Sequence, residues 1–187
     1  MTIGVLAFHG DFAEHMELLH AMKKSAREVR SIDDLREISH LIIPGGESTV
    51  MSGFLTSTGI AAVIQKRVKE GSLAVYGTCA GAILLARKIT GKNSPRSLGL
   101  MDMTVERNAY GTQLQSFGAE LSIKGISGKL PVAFIRAPII TKVGKGVEVL
   151  ASVKGSPVLV RQGRLLAGTF HPEVRRQTAI HKLFLSL

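Results

Sequence analysis

The stretch from Ser72 to Arg87, SLAVYGTCAGAILLAR, constrains the chain more than any other. A short apolar run, Leu73 to Tyr76, meets Gly77-Thr78-Cys79-Ala80-Gly81 and passes at once into a second apolar run of helical composition. The pattern predicts strand, sharp turn and helix, in the form G-x-C-x-G, where two glycines let the chain reverse tightly and lift Cys79 out of the turn. At the start of a helix, unpaired N–H groups favour the thiolate over the thiol, and the same groups face any oxyanion formed beside the sulfur. Ala80 N–H is the first candidate oxyanion donor. The competing reading of a lone cysteine is a buried, inert small hydrophobe, so the rest of the chain has to decide.

A chain of 187 residues is the size of one domain, here residues 1–187, and can bury a core without disulfides or metal. With a single cysteine no internal disulfide can form, which suits the cytoplasm. No apolar run approaches a membrane span, and MTIGVLAFHG lacks a basic leader, so it reads as a first buried strand. The net charge of +10 invites a nucleic-acid reading, but the basic residues are dispersed, aromatics are few and no nucleic-acid module appears. Small clusters at Lys23-Lys24, Arg27 to Arg30, Arg87-Lys88 and Arg175-Arg176 read as solvated helix faces, or as a docking surface for an acidic partner.

In chain order, Thr2 to Phe8 predicts a buried strand, and Asp11 a cap for a helix with apolar Phe12, Met16, Leu19 and Met22. Glu28 to Ile32 is a weak strand, Asp33-Asp34 starts a short helical turn, and His40 to Ile43 is a third strand ending in Pro44-Gly45-Gly46. Gly59 to Lys69 predicts a helix with Ile60, Val63, Ile64 and Val68 on one face. Such alternation indicates a parallel sheet. Beyond a surface loop at Gly91 to Leu98 come β-like runs at Met101 to Val105, Ala119 to Ile123, Leu130 to Ile135, Val147 to Val153, Val158 to Arg161 and Leu165 to Phe170. Their short Gly-rich turns suggest antiparallel hairpins added to a mixed sheet, and Val174 to Leu187 closes the chain as a helix.

A thiolate nucleophile needs a proton shuttle held in one orientation. Of the six histidines, His171 lies at the end of the last predicted strand in Gly168-Thr169-Phe170-His171-Pro172-Glu173. In an extended segment, residues two apart share a side, so His171 and Glu173 can face each other across Pro172. His9, His15, His20, His40 and His181 have no comparable neighbour; His9, Asp11, Glu14 and His15 match no standard ligand spacing, and no metal or cofactor is expected. Pro44-Gly45-Gly46-Glu47-Ser48-Thr49 offers Gly46 N–H as a second oxyanion donor. It is not followed by the Lys-Ser/Thr of a phosphate loop, which argues against nucleotide binding.

Taken together, Pro44-Gly45-Gly46-Glu47-Ser48-Thr49, Gly77-Thr78-Cys79-Ala80-Gly81, Glu106-Arg107-Asn108, Phe134-Ile135-Arg136-Ala137-Pro138 and Phe170-His171-Pro172-Glu173 resemble the glutaminase subunits of pyridoxal 5′-phosphate synthases, within the class I glutamine amidotransferases. The resemblance covers essentially the whole chain. It implies a flavodoxin-like, three-layer α/β fold, with a mixed central sheet and helices on both faces. It also implies a Cys79, His171, Glu173 triad, an oxyanion hole of Gly46 and Ala80, and glutamine binding by Gly46, Glu47, Ser48, Arg107, Ile135 and Arg136. The implied activity is release of ammonia from L-glutamine through a glutamyl thioester, dependent on a separate (β/α)8-barrel synthase subunit in an assembly of twelve plus twelve chains. A glutaminase serving another synthase is the alternative. The chain departs from the family pattern at His9, where Gln is usual, at Thr112 and Gly118, and at Val174-Arg175-Arg176.

Overall fold

Residues 2–107 and 116–187 are described by a computed structural model. The first half alternates strand and helix: β1 (Thr2–Leu6), α1 (Phe12–Ala21), β2 (Ala26–Val29), β3 (Ile38–Ile43), α2 (Ser48–Ser57), α3 (Ile60–Lys69), β4 (Ala74–Thr78) and α4 (Ala80–Leu85). The second half is richer in strands: β5 (Ala86–Thr90), β6 (Met101–Glu106), β7 (Phe117–Ser122), β8 (Lys129–Phe134), β9 (Ile139–Val143), β10 (Glu148–Val153), β11 (Ser156–Gln162) and β12 (Leu165–Gly168), before α5 (Thr178–Leu185). β10, β11, β12, β4, β3, β1 and β2 form the central sheet in that order. From β2 to β12 neighbours run parallel, and β11 and β10 extend the edge antiparallel. The parallel order 2-1-3-4, completed by a late strand, is that of a flavodoxin-like sheet.

Strand alternation splits the core into two layers. Leu41, Ile43 and Val75 point to one face, with Met51 and Leu55 of α2, Ile60 and Ile64 of α3, and Met103 and Val105 of β6. Ile42, Ala74 and Tyr76 point to the other, with Leu19 of α1, Ile180 and Phe184 of α5, and Val132 and Phe134 of β8. Helices therefore cover both faces of a mixed sheet, as expected. β5, β6 and β9 make a small separate sheet, and β7 and β8 a hairpin. No helix among the described residues is long and apolar enough to cross a membrane.

Several elements differ from the sequence expectation. Helix α2 carries little helical signal in the sequence, because Ser48, Thr49, Ser52, Gly53, Thr56 and Ser57 are poor helix formers. The Glu47 side chain accepts from Val50 N and caps it, while Met51 and Leu55 bury one face. Helix α4 stops at Leu85 rather than continuing to Arg87: Leu84 and Leu85 carbonyls accept from Leu98 and Leu100 N–H, and Ala86 turns extended into β5. β9 is a further strand beyond those expected, its β-branched residues pairing antiparallel with β6. The predicted helix from Val174 is broken: Glu173–Arg175 is a single 3-10 turn, Arg176 adopts φ +50°, and α5 begins only at Thr178.

Candidate active site

Cys79 sits between β4 and α4 with φ 47° and ψ −100°, a backbone conformation that costs on the order of 1–3 kcal/mol for a residue with a side chain. The strained residue of the elbow is thus the cysteine itself. Its two glycines serve close approach instead: a Cβ on Gly81 would lie 2.0 Å from Ile43 O, and one on Gly77 2.4 Å from the Gly81 carbonyl carbon. The turn is fixed by Cys79 N–H donating to Gly168 O of β12 at 2.8 Å, and by Ile83 N–H donating to Cys79 O at 3.2 Å. Ala80 follows as the first residue of α4.

The ends of four neighbouring strands converge here. β1 leads to His9 and Asp11, β3 to Gly46, Glu47 and Ser48, β4 to Cys79, and β12 to His171. All of these line one cavity of about 530 Å³ with Ile83, Arg107, Ile135 and Arg136. This is the carboxyl end of a parallel sheet, where such folds place their ligands. The sequence-predicted residues are therefore brought together except for two that stand behind the wall. Ala80 is buried beneath Cys79, and Glu173 is buried behind His171. Asn108 and Thr112 lie outside the described residues.

His171 Nδ1 contacts Glu173 Oε1 at 2.7 Å. The pair is not made by strand alternation, because Pro172 is helical at φ −69° and ψ −29° and the chain curls into a 3-10 turn that brings Glu173 back under the ring. His171 N–H donates to Ala133 O of β8 at 2.8 Å, fixing the backbone from the other side. A second carboxylate, Asp11 Oδ2, lies 3.1 Å from the same Nδ1. Asp11 occupies the cap position of α1, but its side chain accepts from none of the helix N–H groups, so the predicted capping role is corrected to a contact with His171. Burial pulls the His171 pKa down, but contacts with Asp11, Cys79 and Glu173 outweigh it and raise it to about 12. The two acids occupy Nδ1, which leaves Nε2 for Cys79. The cysteine thiol also lies 3.9 Å from Ile135 O.

The charged residues of the cavity wall divide by their pairing. Arg107 Nη2 binds Glu47 Oε1 at 3.1 Å, and Nη1 donates to Asn93 O at 2.6 Å. Burial raises the Glu47 carboxyl, but Thr49, Val50 and Arg107 together hold it below its ordinary value. Arg136, at φ 44°, has no hydrogen-bond or ion-pair partner among the described residues. It presents a free guanidinium suited to a carboxylate.

Three histidines join the surroundings of the cavity, of which only His9 stands out in the sequence. His9 Nδ1 accepts from Glu47 N–H at 3.4 Å, beside Gly46. Behind His171, His15 Nε2 lies 3.5 Å from Glu173 Oε2, and His15 Nδ1 lies 2.9 Å from His181 Nε2. His15 and His181 are 166 positions apart, so no local motif joins them. Asp11, His171 and Glu173 gather three potential metal donors, but their atoms are already engaged with one another.

A model of the SNO glutamine amidotransferase family matches residues 5–187. The chain is 48% identical over 186 residues to the pyridoxal 5′-phosphate synthase subunit PdxT of Thermus thermophilus, covering all of this chain and 97% of that one. It is 49% identical over 187 residues to the PdxT of Pseudothermotoga lettingae, covering all of this chain and 95% of that one. Among solved structures, a glutamine amidotransferase at 48% identity superposes with a TM-score of 0.93, covering 98% of this chain and 97% of that one. PurLQS of Thermotoga maritima, at 16% identity, superposes with a TM-score of 0.73 over 99% of this chain and 97% of that one, a likeness of fold alone.

Proposed function

The chain belongs to the SNO glutamine amidotransferase family, and from that premise we propose that it is the glutaminase subunit of a pyridoxal 5′-phosphate synthase, acting as one cytoplasmic domain. The observation that carries this reading is the strained Cys79 facing, in one cavity, a histidine anchored by Glu173 and an Arg136 with no ion-pair partner among the described residues.

Transfer of the Cys79 proton to His171 Nε2 produces the thiolate, and the raised pKa of His171 favours holding that proton. The sulfur attacks the side-chain carboxamide carbon of L-glutamine, while Gly46 and Ala80 N–H groups receive the oxyanion. His171 then protonates the departing ammonia and leaves a γ-glutamyl thioester on Cys79. Water, deprotonated by His171, releases glutamate and restores the thiol. Glu173 keeps the imidazole in one orientation throughout. Arg136 takes the α-carboxylate, because Arg107 is already paired with Glu47; Glu47, Ser48 and Ile135 complete the substrate wall. Ammonia passes to the synthase subunit, a (β/α)8 barrel in an assembly of twelve plus twelve, and glutaminase activity depends on that partner.

The test is glutamate release from glutamine by the purified chain, alone and with a synthase subunit, beside Cys79→Ala. The expected result is activity that appears with the partner and vanishes in the variant. Equal activity without the partner would indicate a self-sufficient amidohydrolase. Absence of activity in the assembled complex would overturn the glutaminase reading.

A further inference from the structure

Glu173 presents only one of its two oxygens to His171. The other, Oε2, is sealed from solvent and has no hydrogen bond within normal limits among the described residues. A buried carboxylate oxygen left so is costly, and something must hold the group ionised and still. The group nearest to that role is His15 Nε2, 3.5 Å away and also 3.4 Å from Thr78 Oγ1. His15 itself is fully buried, and its other nitrogen meets His181, equally buried on α5. The edge of Tyr76 against His181, with rings at 86° and centroids 5.9 Å apart, fixes that second ring.

We propose that His15 and His181 are positioning residues for the base: His181 donates its Nε2–H to His15 Nδ1, and His15 thereby turns its own Nε2–H toward Glu173 Oε2, steadying the carboxylate that orients His171. The assignment follows from counting protons. Two neutral imidazoles joined Nδ1 to Nε2 share one hydrogen, so His15 carries its proton either on Nδ1 or on Nε2. The first choice would aim a bare nitrogen lone pair at a carboxylate. The second aims a donor at it. Burial lowers the pKa of both histidines, His181 to about 4 and His15 well below its ordinary value, so neutral rings are the right starting point. The network ties α1 and α5 to the end of β4, directly behind the nucleophile.

This inference rests on the triad reading, and its test separates the two. In the histidine-labelled chain, nitrogen NMR at neutral pH should show His15 and His181 both neutral with the proton on Nε2, and Glu173→Gln should move the His15 signals. A His15 proton on Nδ1, or a charged His15, would overturn the proposal. In the complex with a synthase subunit, His15→Gln keeps a donor near the Nε2 position and should hold kcat within about threefold of the parent, whereas His15→Met, of similar volume without a donor, should lower kcat by roughly tenfold or more at little-changed KM. Equal losses in both variants, or a change in KM alone, would mean a packing role only. If Met does not fold, the tautomer measurement on the parent chain still decides. If Cys79→Ala retains activity, the triad fails, and the NMR result still decides the histidine pair.

Discussion

At the scale of single residues, the elbow is governed by where atoms cannot go. A methyl group at Gly81 would lie inside contact distance of Ile43 O, a backbone atom held in β3, so neither side can yield cheaply. Gly81→Ala is therefore expected to destabilise the fold by about 3 kcal/mol or more, or to prevent soluble expression. Gly53, exposed in α2 with no atom within 4 Å of its would-be Cβ, is the internal contrast. Gly53→Ala should stabilise by about 0.5–1 kcal/mol, because alanine loses less conformational freedom in a helix. Urea denaturation of the pair checks both signs, and similar midpoints would contradict the steric account. Cys79, His171 and Glu173 were legible because their signals are local: a turn pattern and a three-residue pair. The spacing of the pair does not reveal its geometry, because a helical turn rather than strand alternation joins His171 to Glu173. Asp11, His15 and His181 were invisible because each acquires its partner only when distant segments meet.

At the scale of elements, strands were easier to read than the helix that matters most for the site. β1, β3, β4 and β12 are nearly unbroken apolar runs, as buried parallel strands must be, and the sequence exposed them. Helix α2 has little propensity of its own and depends on its first turn. Glu47 Oε2 accepts from Val50 N at 2.9 Å and from the Thr49 hydroxyl, while Oε1 binds Arg107. Gln at this position retains an acceptor for Val50 N but gives up the charge, and Ala gives up both. Glu47 is half-buried against the largely buried Arg107 side chain, and both variants give up the charge of that pair, so the difference between them reads the cap. Glu47→Ala should accordingly fall about 1 kcal/mol below Glu47→Gln in unfolding free energy. Equal stabilities, measured by the same denaturation, would place the anchor of α2 elsewhere. The foreshortened α4 follows the same logic, because its last carbonyls are claimed by Leu98 and Leu100, contacts that no periodicity encodes.

At the scale of the whole molecule, the buried histidines pull the stability curve in opposite directions. His15 and His181 are neutral in the fold, their pKa values lowered chiefly by burial, His181 to about 4, from an ordinary 6.5. Their contribution is complete above about pH 6.5 and is lost as pH falls from there toward 4, because the unfolded chain takes up protons that the fold refuses. Two such groups give a slope of at most about 2.7 kcal/mol per pH unit. Glu173, whose pKa burial raises, gains a proton in the fold on the same descent and offsets part of it. His171 acts in the reverse sense. Burial lowers its affinity for a proton, but Asp11, Cys79 and Glu173 together raise its pKa to about 12, so its contribution is complete below about pH 6.5 and drains away as pH rises toward 12. The alkaline slope is about 1.4 kcal/mol per unit. Stability should therefore peak near neutrality and fall on both sides. Denaturation midpoints between pH 5 and 9 test this directly, with His171→Ala expected to flatten the alkaline limb and His181→Phe to shallow the acid one. A profile that climbs steadily to pH 9 would mean that His171 is not held as the imidazolium by its two carboxylates.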